Sequence, residues 1–138
     1  MRLTLGLIAE AANTTSDGKL NILGEFNIIL TTQFPMTYPS LALVFRLEAD
    51  GSEPADHRFH VRLLDEDNNL VRPVGDGGMT LGPSGYEGIP RRIQGVIPIR
   101  MATFERAGTY TFEFLVDNDR PEMICPPIEL HVVQANPQ

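Results

Sequence analysis

The stretch Leu41-Ala42-Leu43-Val44-Phe45-Arg46-Leu47-Glu48 alternates along its whole length, with Leu41, Leu43, Phe45 and Leu47 on one parity and Ala42, Val44, Arg46 and Glu48 on the other. Successive side chains of an extended chain point to opposite faces, so this segment is a strand with one face in a core and one turned outward. No part of the chain carries a convincing apolar helical period over about 11 residues. Residues 101–107 have room for one short helical turn at most.

The same two-residue period recurs on both sides. Toward the N-terminus, Leu3, Leu5, Leu7 and Ala9 alternate with Thr4, Gly6, Ile8 and Glu10, and further strands follow at Leu20 and Ile22 and at Phe26, Ile28 and Leu30. Asp17-Gly18 sits where a tight turn joins the first two segments, and Gly24 marks a separation or a bulge. Toward the C-terminus come Phe59, Val61 and Leu63 against Arg58, His60 and Arg62, a brief return at 70–73, then Ile93, Gly95, Ile97 and Ile99, then Tyr110, Phe112, Phe114 and Val116, and finally Ile128, Leu130 and Val132. Pro98 interrupts its ladder, which places that strand at an edge. Residues 75–88 hold six glycines and no apolar period, so they read as one long glycine-rich loop. About eight or nine short strands, each needing a second sheet to cover one parity, predict an all-β antiparallel sandwich, with a barrel as the alternative.

Composition narrows the class. With 138 residues the chain fits a single domain, residues 1–138, large enough to be held by a hydrophobic core without disulfides or a metal. A net charge of -7 has the wrong sign for neutralising phosphates and argues against a nucleic-acid partner. The one cysteine, Cys125, cannot form an internal bridge and favours a reducing, cytoplasmic setting. The apolar run at 3–9 alternates as a strand does, unlike a signal-peptide core, and no run is long enough to span a membrane.

Candidate sites are few. Asp65, Asp67 and Asn69 have the 1, 3, 5 spacing of a calcium loop, but Leu70 stands where the loop needs glycine and Asp76 where it needs a bidentate glutamate. A hairpin turn accounts for the same residues. Asp50, Glu53 and Asp56 occupy one loop and Asp117 and Asp119 another; the Asp50 loop and the Asp65 turn should lie at opposite ends of the sandwich, leaving Asp117 to meet one of them. His57 and His60, three apart on a strand, point to opposite faces and cannot share a metal. No nucleophile motif or phosphate loop is present, and no cofactor is expected. The glycine-rich segment carries Met79, Leu81, Tyr86 and Ile89, apolar groups that a solvated linker does not need, followed by Arg91 and Arg92; these are the candidates for partner binding. The outward parity mixes Arg46, Glu48, Arg58, His60, Arg62, Glu113, Glu129 and His131 with Val44, Ile29, Leu115 and Val133, a composition suited to self-association.

Two resemblances add to this. Gly108-Thr109-Tyr110-Thr111-Phe112-Glu113-Phe114 resembles the late strand of immunoglobulin-like sandwiches, in which a tyrosine ties down a corner, although paired cysteines and a core tryptophan are absent. The segments Leu7-Ile8-Ala9-Glu10-Ala11-Ala12, Gly18-Lys19-Leu20-Asn21-Ile22-Leu23-Gly24-Glu25-Phe26, Phe34-Pro35 and His60-Val61-Arg62-Leu63-Leu64-Asp65-Glu66-Asp67 resemble a family of small uncharacterised bacterial or phage proteins, a domain of unknown function. That resemblance implies an intracellular bacterial setting and assigns no residue a role. The expectation is a non-enzymatic interaction or structural module that self-associates or binds a protein partner, with neither nucleic acid nor membrane as partner. A calcium- or carbohydrate-binding module using the acidic loop ends is the alternative.

Overall fold

A computed structural model describes residues 1–82 and 86–136. The strands are β1 (Arg2–Thr14), β2 (Leu20–Glu25), β3 (Ile28–Thr31), β4 (Met36–Ala49), β5 (Asp56–Leu64), β6 (Leu70–Thr80), β7 (Arg91–Phe104), β8 (Gly108–Val116), β9 (Glu122–Met123) and β10 (Glu129–Gln134). They form two five-stranded sheets, one ordered β2-β1-β4-β7 with β9 beside the start of β1, the other β3-β10-β8-β5-β6. Among the described residues there is no helix long and apolar enough to cross a membrane.

In β4, β5, β8 and β10 the parity read in the sequence is in the core, whereas in β1 the register shift between Leu3 and Leu5 turns Ile8, read as facing outward, into the core in place of Leu5 and Leu7. Leu41, Leu43, Phe45 and Leu47 of β4 share one core cluster with Val61 and Leu63 of β5, Phe112 and Phe114 of β8, and Leu130 and Val132 of β10. The Phe45 and Phe114 rings meet across the two sheets at 5.0 Å between centroids. Tyr110 closes one end: its hydroxyl donates to the carbonyl of Arg106 at 2.6 Å, the local tie that the sequence of β8 suggested.

Four expectations change. The sheets are mixed, because β9 runs parallel to β1 and β3 parallel to β10; strands brought together from distant parts of the chain are free of the antiparallel constraint that a hairpin imposes. Residues 75–80 are the second half of β6, paired with β5 from Asp56↔Thr80 to Val61↔Gly75. Glycine serves close packing there: a Cβ on Gly75 would lie 3.2 Å from Cγ2 of Ile97, and one on Gly77 would lie 3.2 Å from Cε1 of Phe59. Residues 101–104, read as a possible helical turn, end β7. Finally, Val44 is completely buried although its parity faces outward, and Ile29 belongs to the core. β1 follows β4 only as far as Ala9↔Ala42, while the turn after β1 presents the Gly18 carbonyl to Gln94 Nε2 at 2.7 Å. Gln94 stands opposite Arg46 on the outer side, so the β1–β2 hairpin turns back over the outer face that carries Val44.

The Asp17-Gly18 turn and the edge position of the Pro98 strand appear as read, with Gly18 at φ 84° and β7 paired to β4 alone.

Candidate functional site

The acidic turn between β5 and β6 spends its oxygens on the chain itself. Asp65 Oδ1 accepts the N–H groups of Asp67 and Asn69, both at 2.9 Å, and Asn68 takes a left-handed conformation at φ 63°. Arg106 approaches Asp65 and Asp67 at 3.5 and 3.4 Å. The backbone N–H of Asn69, with the charge of Arg106 and the Asp67 amide, holds the Asp65 carboxyl below the usual carboxylate range. Asp65, Asp67 and Asn69 thus lie together in an Asx-type turn closed by the chain's own N–H groups, and no group of three or more His, Cys, Asp or Glu able to hold a metal occurs among the described residues.

At the opposite end of the sandwich a histidine gathers the loops. His57 is 6% exposed on β5. Its Nδ1 lies 2.6 Å from Asp117 Oδ2 and its Nε2 lies 2.7 Å from the Pro54 carbonyl. Glu53 Oε1 stands 3.8 Å from the same Nε2. Burial draws the imidazolium down, but the hydrogen bonds to Asp117 and Pro54 and the charges of Asp117 and Glu53 outweigh it and raise His57 above its ordinary value. The loop acids therefore do converge in part, since Asp117 meets the Asp50 end and not the Asp65 turn, and Asp117 and Glu53 converge on the His57 ring. No local motif announces the pairing of His57 with Asp117, which lies 60 positions away.

The partner-binding candidates separate into two groups. Met79 packs against the core, Leu81 is buried, and Arg91 donates to the carbonyls of Gly82, Glu53 and Leu81. Those three hold the segment after β6 to the body of the domain. Arg92 pairs with Glu48 at 3.4 Å, and Tyr86 and Ile89 lie on the surface. Arg72 ties this side of the sandwich together by reaching from β6 to the Arg100 carbonyl of β7 at 2.9 Å. Proline and arginine thus guard both edge strands here: Pro73 and Arg72 on β6, Pro98 and Arg100 on β7.

The other side is unguarded. Its exposed apolar residues are Ile28 and Leu30 of β3 and, beside them, Val133 of β10. β3 is the terminal strand of its sheet and is bonded to β10 alone. His131 N–H donates to the Asn27 carbonyl and Ala135 N–H to that of Thr31, so the residues at odd positions turn their backbone groups toward β10. Ile28 and Leu30 consequently direct theirs to the open edge. Their side chains, 54% and 68% exposed, share the outer face with Val133, which stands opposite Leu30. From Phe26 to Gln33 the chain carries no charge. Alternation located β3 as a strand, but which strand lies at an edge depends on pairing between distant segments.

Two further groups have structural partners. Glu113, nearly buried on the outer face of β8, lies between Arg62 and Arg120, the latter at 2.7 Å. Burial alone would raise its carboxyl, but the two guanidinium groups hold it below the ordinary value. Cys125 packs against the core, and burial pushes its thiol up, away from the reactive thiolate.

Residues 4–125 match the family of unknown function DUF6941. No curated protein matches the chain.

Proposed function

The chain belongs to the family of unknown function DUF6941, and from that premise we propose that it is a non-enzymatic interaction module that associates with a second copy of itself by strand addition at β3. The observation that carries this reading is the outward backbone row of Ile28 and Leu30, on a terminal strand that has no charge or proline and that pairs with β10 alone among the described residues. An open row of N–H and C=O groups selects an extended strand as its occupant. β3 is complementary to itself: in an antiparallel pair centred on Ile29, each Ile28 faces the other copy's Leu30, and the same two residues exchange backbone hydrogen bonds. Support against a catalytic role comes from the polar clusters, in which His57, Glu113 and Asp65 are each saturated by partners within the chain. The lone Cys125 and the family resemblance support a reducing bacterial or phage-borne cytoplasm as the setting, and the -7 charge supports a protein partner over nucleic acid.

Sedimentation across a concentration series tests the reading. Wild-type protein is expected to pass from monomer to dimer, and Leu30→Lys to remain monomeric with unchanged circular dichroism and thermal midpoint, because position 30 is exposed and a surface substitution shifts stability by only about 0.5 kcal/mol or less. A wild-type protein that stays monomeric, or a dimer indifferent to both Leu30→Lys and Ile28→Lys, contradicts it.

A further inference from the structure

We propose that His57 is a protonation-dependent latch: charged, it ties the segment between β4 and β5 to the turn after β8; neutral, it releases that segment and, through it, Leu81, the residue that follows β6. The inference is independent of strand pairing at β3.

The argument begins with donors and acceptors. A carbonyl can only accept, and so can an ionised carboxylate. His57 places one ring nitrogen against each, Nδ1 at 2.6 Å from Asp117 and Nε2 at 2.7 Å from the Pro54 carbonyl, inside a site where the ring is nearly inaccessible to water. Imidazolium carries two N–H donors and satisfies both contacts. Neutral imidazole carries one, so loss of the proton leaves a lone pair facing an acceptor at one of the two positions, an arrangement that a buried site does not tolerate.

The two contacts differ in how firmly their partners are held. Asp117 is fixed by its own backbone and side chain, since Asp117 N–H donates to the Arg58 carbonyl at 2.8 Å and Asp117 Oδ1 accepts the Arg58 N–H at 2.9 Å. Asp117 and Asn118 sit at φ 51° and 67°, left-handed conformations that these bonds help to maintain. Pro54 is held only through its neighbours, by Glu53 N–H to the Asp50 carbonyl at 3.2 Å within the loop and by the Glu53 and Ala55 carbonyls that accept from Arg91 and Leu81, so its contact is the one that gives way. The groups facing the ring are Asp117 from the turn after β8, Glu53 from the β4–β5 loop, the Met1 ammonium 4.0 Å from Glu53, and Arg91 of β7, which reaches the Glu53 carbonyl; Arg58 flanks it on β5, and Met79 stands opposite on β6. Acids outnumber bases at the ring itself, which favours the charged form at neutral pH.

The loop that the latch holds is also the anchor of the next one. The Ala55 carbonyl accepts the N–H of Leu81 at 2.8 Å, and the Glu53 carbonyl accepts from Arg91. Detaching residues 50–55 therefore removes one support from Leu81, just after β6, and another from Arg91 at the start of β7.

Nuclear magnetic resonance on the wild-type protein tests the latch. The His57 ring is expected to titrate with a midpoint above its ordinary value of 6.5. Over the same interval, exchange of the Leu81 amide, corrected for the intrinsic pH dependence of exchange, should accelerate about tenfold while amides of the β5–β8 ladder keep their protection. In Asp117→Asn the midpoint falls and the acceleration moves to lower pH with it. A His57 that is neutral throughout, or a Leu81 amide that ignores the His57 titration, overturns the proposal. Should Asp117→Asn fail to fold, the wild-type titration decides the question alone.

Discussion

Glu113 and His57 illustrate how single residues set the response of this domain to pH. Glu113 is held below its ordinary value of 4.5 by Arg62 and Arg120, so its stabilisation is present above that value and is lost as pH falls through the depressed one. His57 has the opposite sign. It is held above 6.5, so its contribution is complete below 6.5 and is lost as pH rises through the raised value. Urea unfolding across pH should therefore show an acid limb that Glu113→Gln flattens and an alkaline limb that His57→Gln flattens. At neutral pH, Glu113→Gln should cost about 1–2 kcal/mol, the scale of hydrogen bonds to a charged group discounted for the exposure of both arginines. Neither role was visible in the sequence, where both residues read as ordinary members of alternating strands. Arg120 and Pro54 are near in sequence, but Arg62 and Asp117 are 51 and 60 positions distant, and only the pairing of β5 with β8 brings them together.

At the scale of elements, alternation was the reliable guide. It located β1, β4, β5, β7, β8 and β10, because each carries an alternating apolar parity, although β4 buries both parities from Leu41 to Phe45 and β1 changes its inward parity after the irregularity between Leu3 and Leu5. β9 escaped notice since two residues carry no period. β6 was mistaken in part for a loop because glycine is ambiguous: it favours turns through backbone freedom, and it also fits where a neighbouring sheet or ring comes too close for a Cβ. Gly77 is the second kind, so Gly77→Val should push against Phe59 and destabilise the domain by about 1–3 kcal/mol, the usual penalty of overpacking, whereas Gly51→Ala, with open space around it, should leave the melting temperature nearly unchanged. Differential scanning calorimetry separates the two. Ala42 and Val44 held a clue that was available in the sequence. Two adjacent apolar positions on the outer parity of a central strand imply something lying over them, and the β1–β2 hairpin occupies that place.

Across the whole molecule, the two open sides of the sandwich differ in kind. Along β6 and β7 the edges are closed by proline, glycine and arginine, and Arg72 laces one sheet to the other. Along β3 no proline or arginine occurs, and the exposed side chains of Ile28, Leu30 and Val133 share its outer face. A sandwich with one guarded and one unguarded flank is suited to pair once, through a closed twofold, and then stop. The measurement closest to that idea is backbone amide exchange at Ile28 and Leu30, followed from dilute to concentrated protein. Strand addition predicts protection at these two amides that grows with concentration and vanishes in Leu30→Lys. Exchange at the unprotected rate at every concentration would contradict pairing through β3.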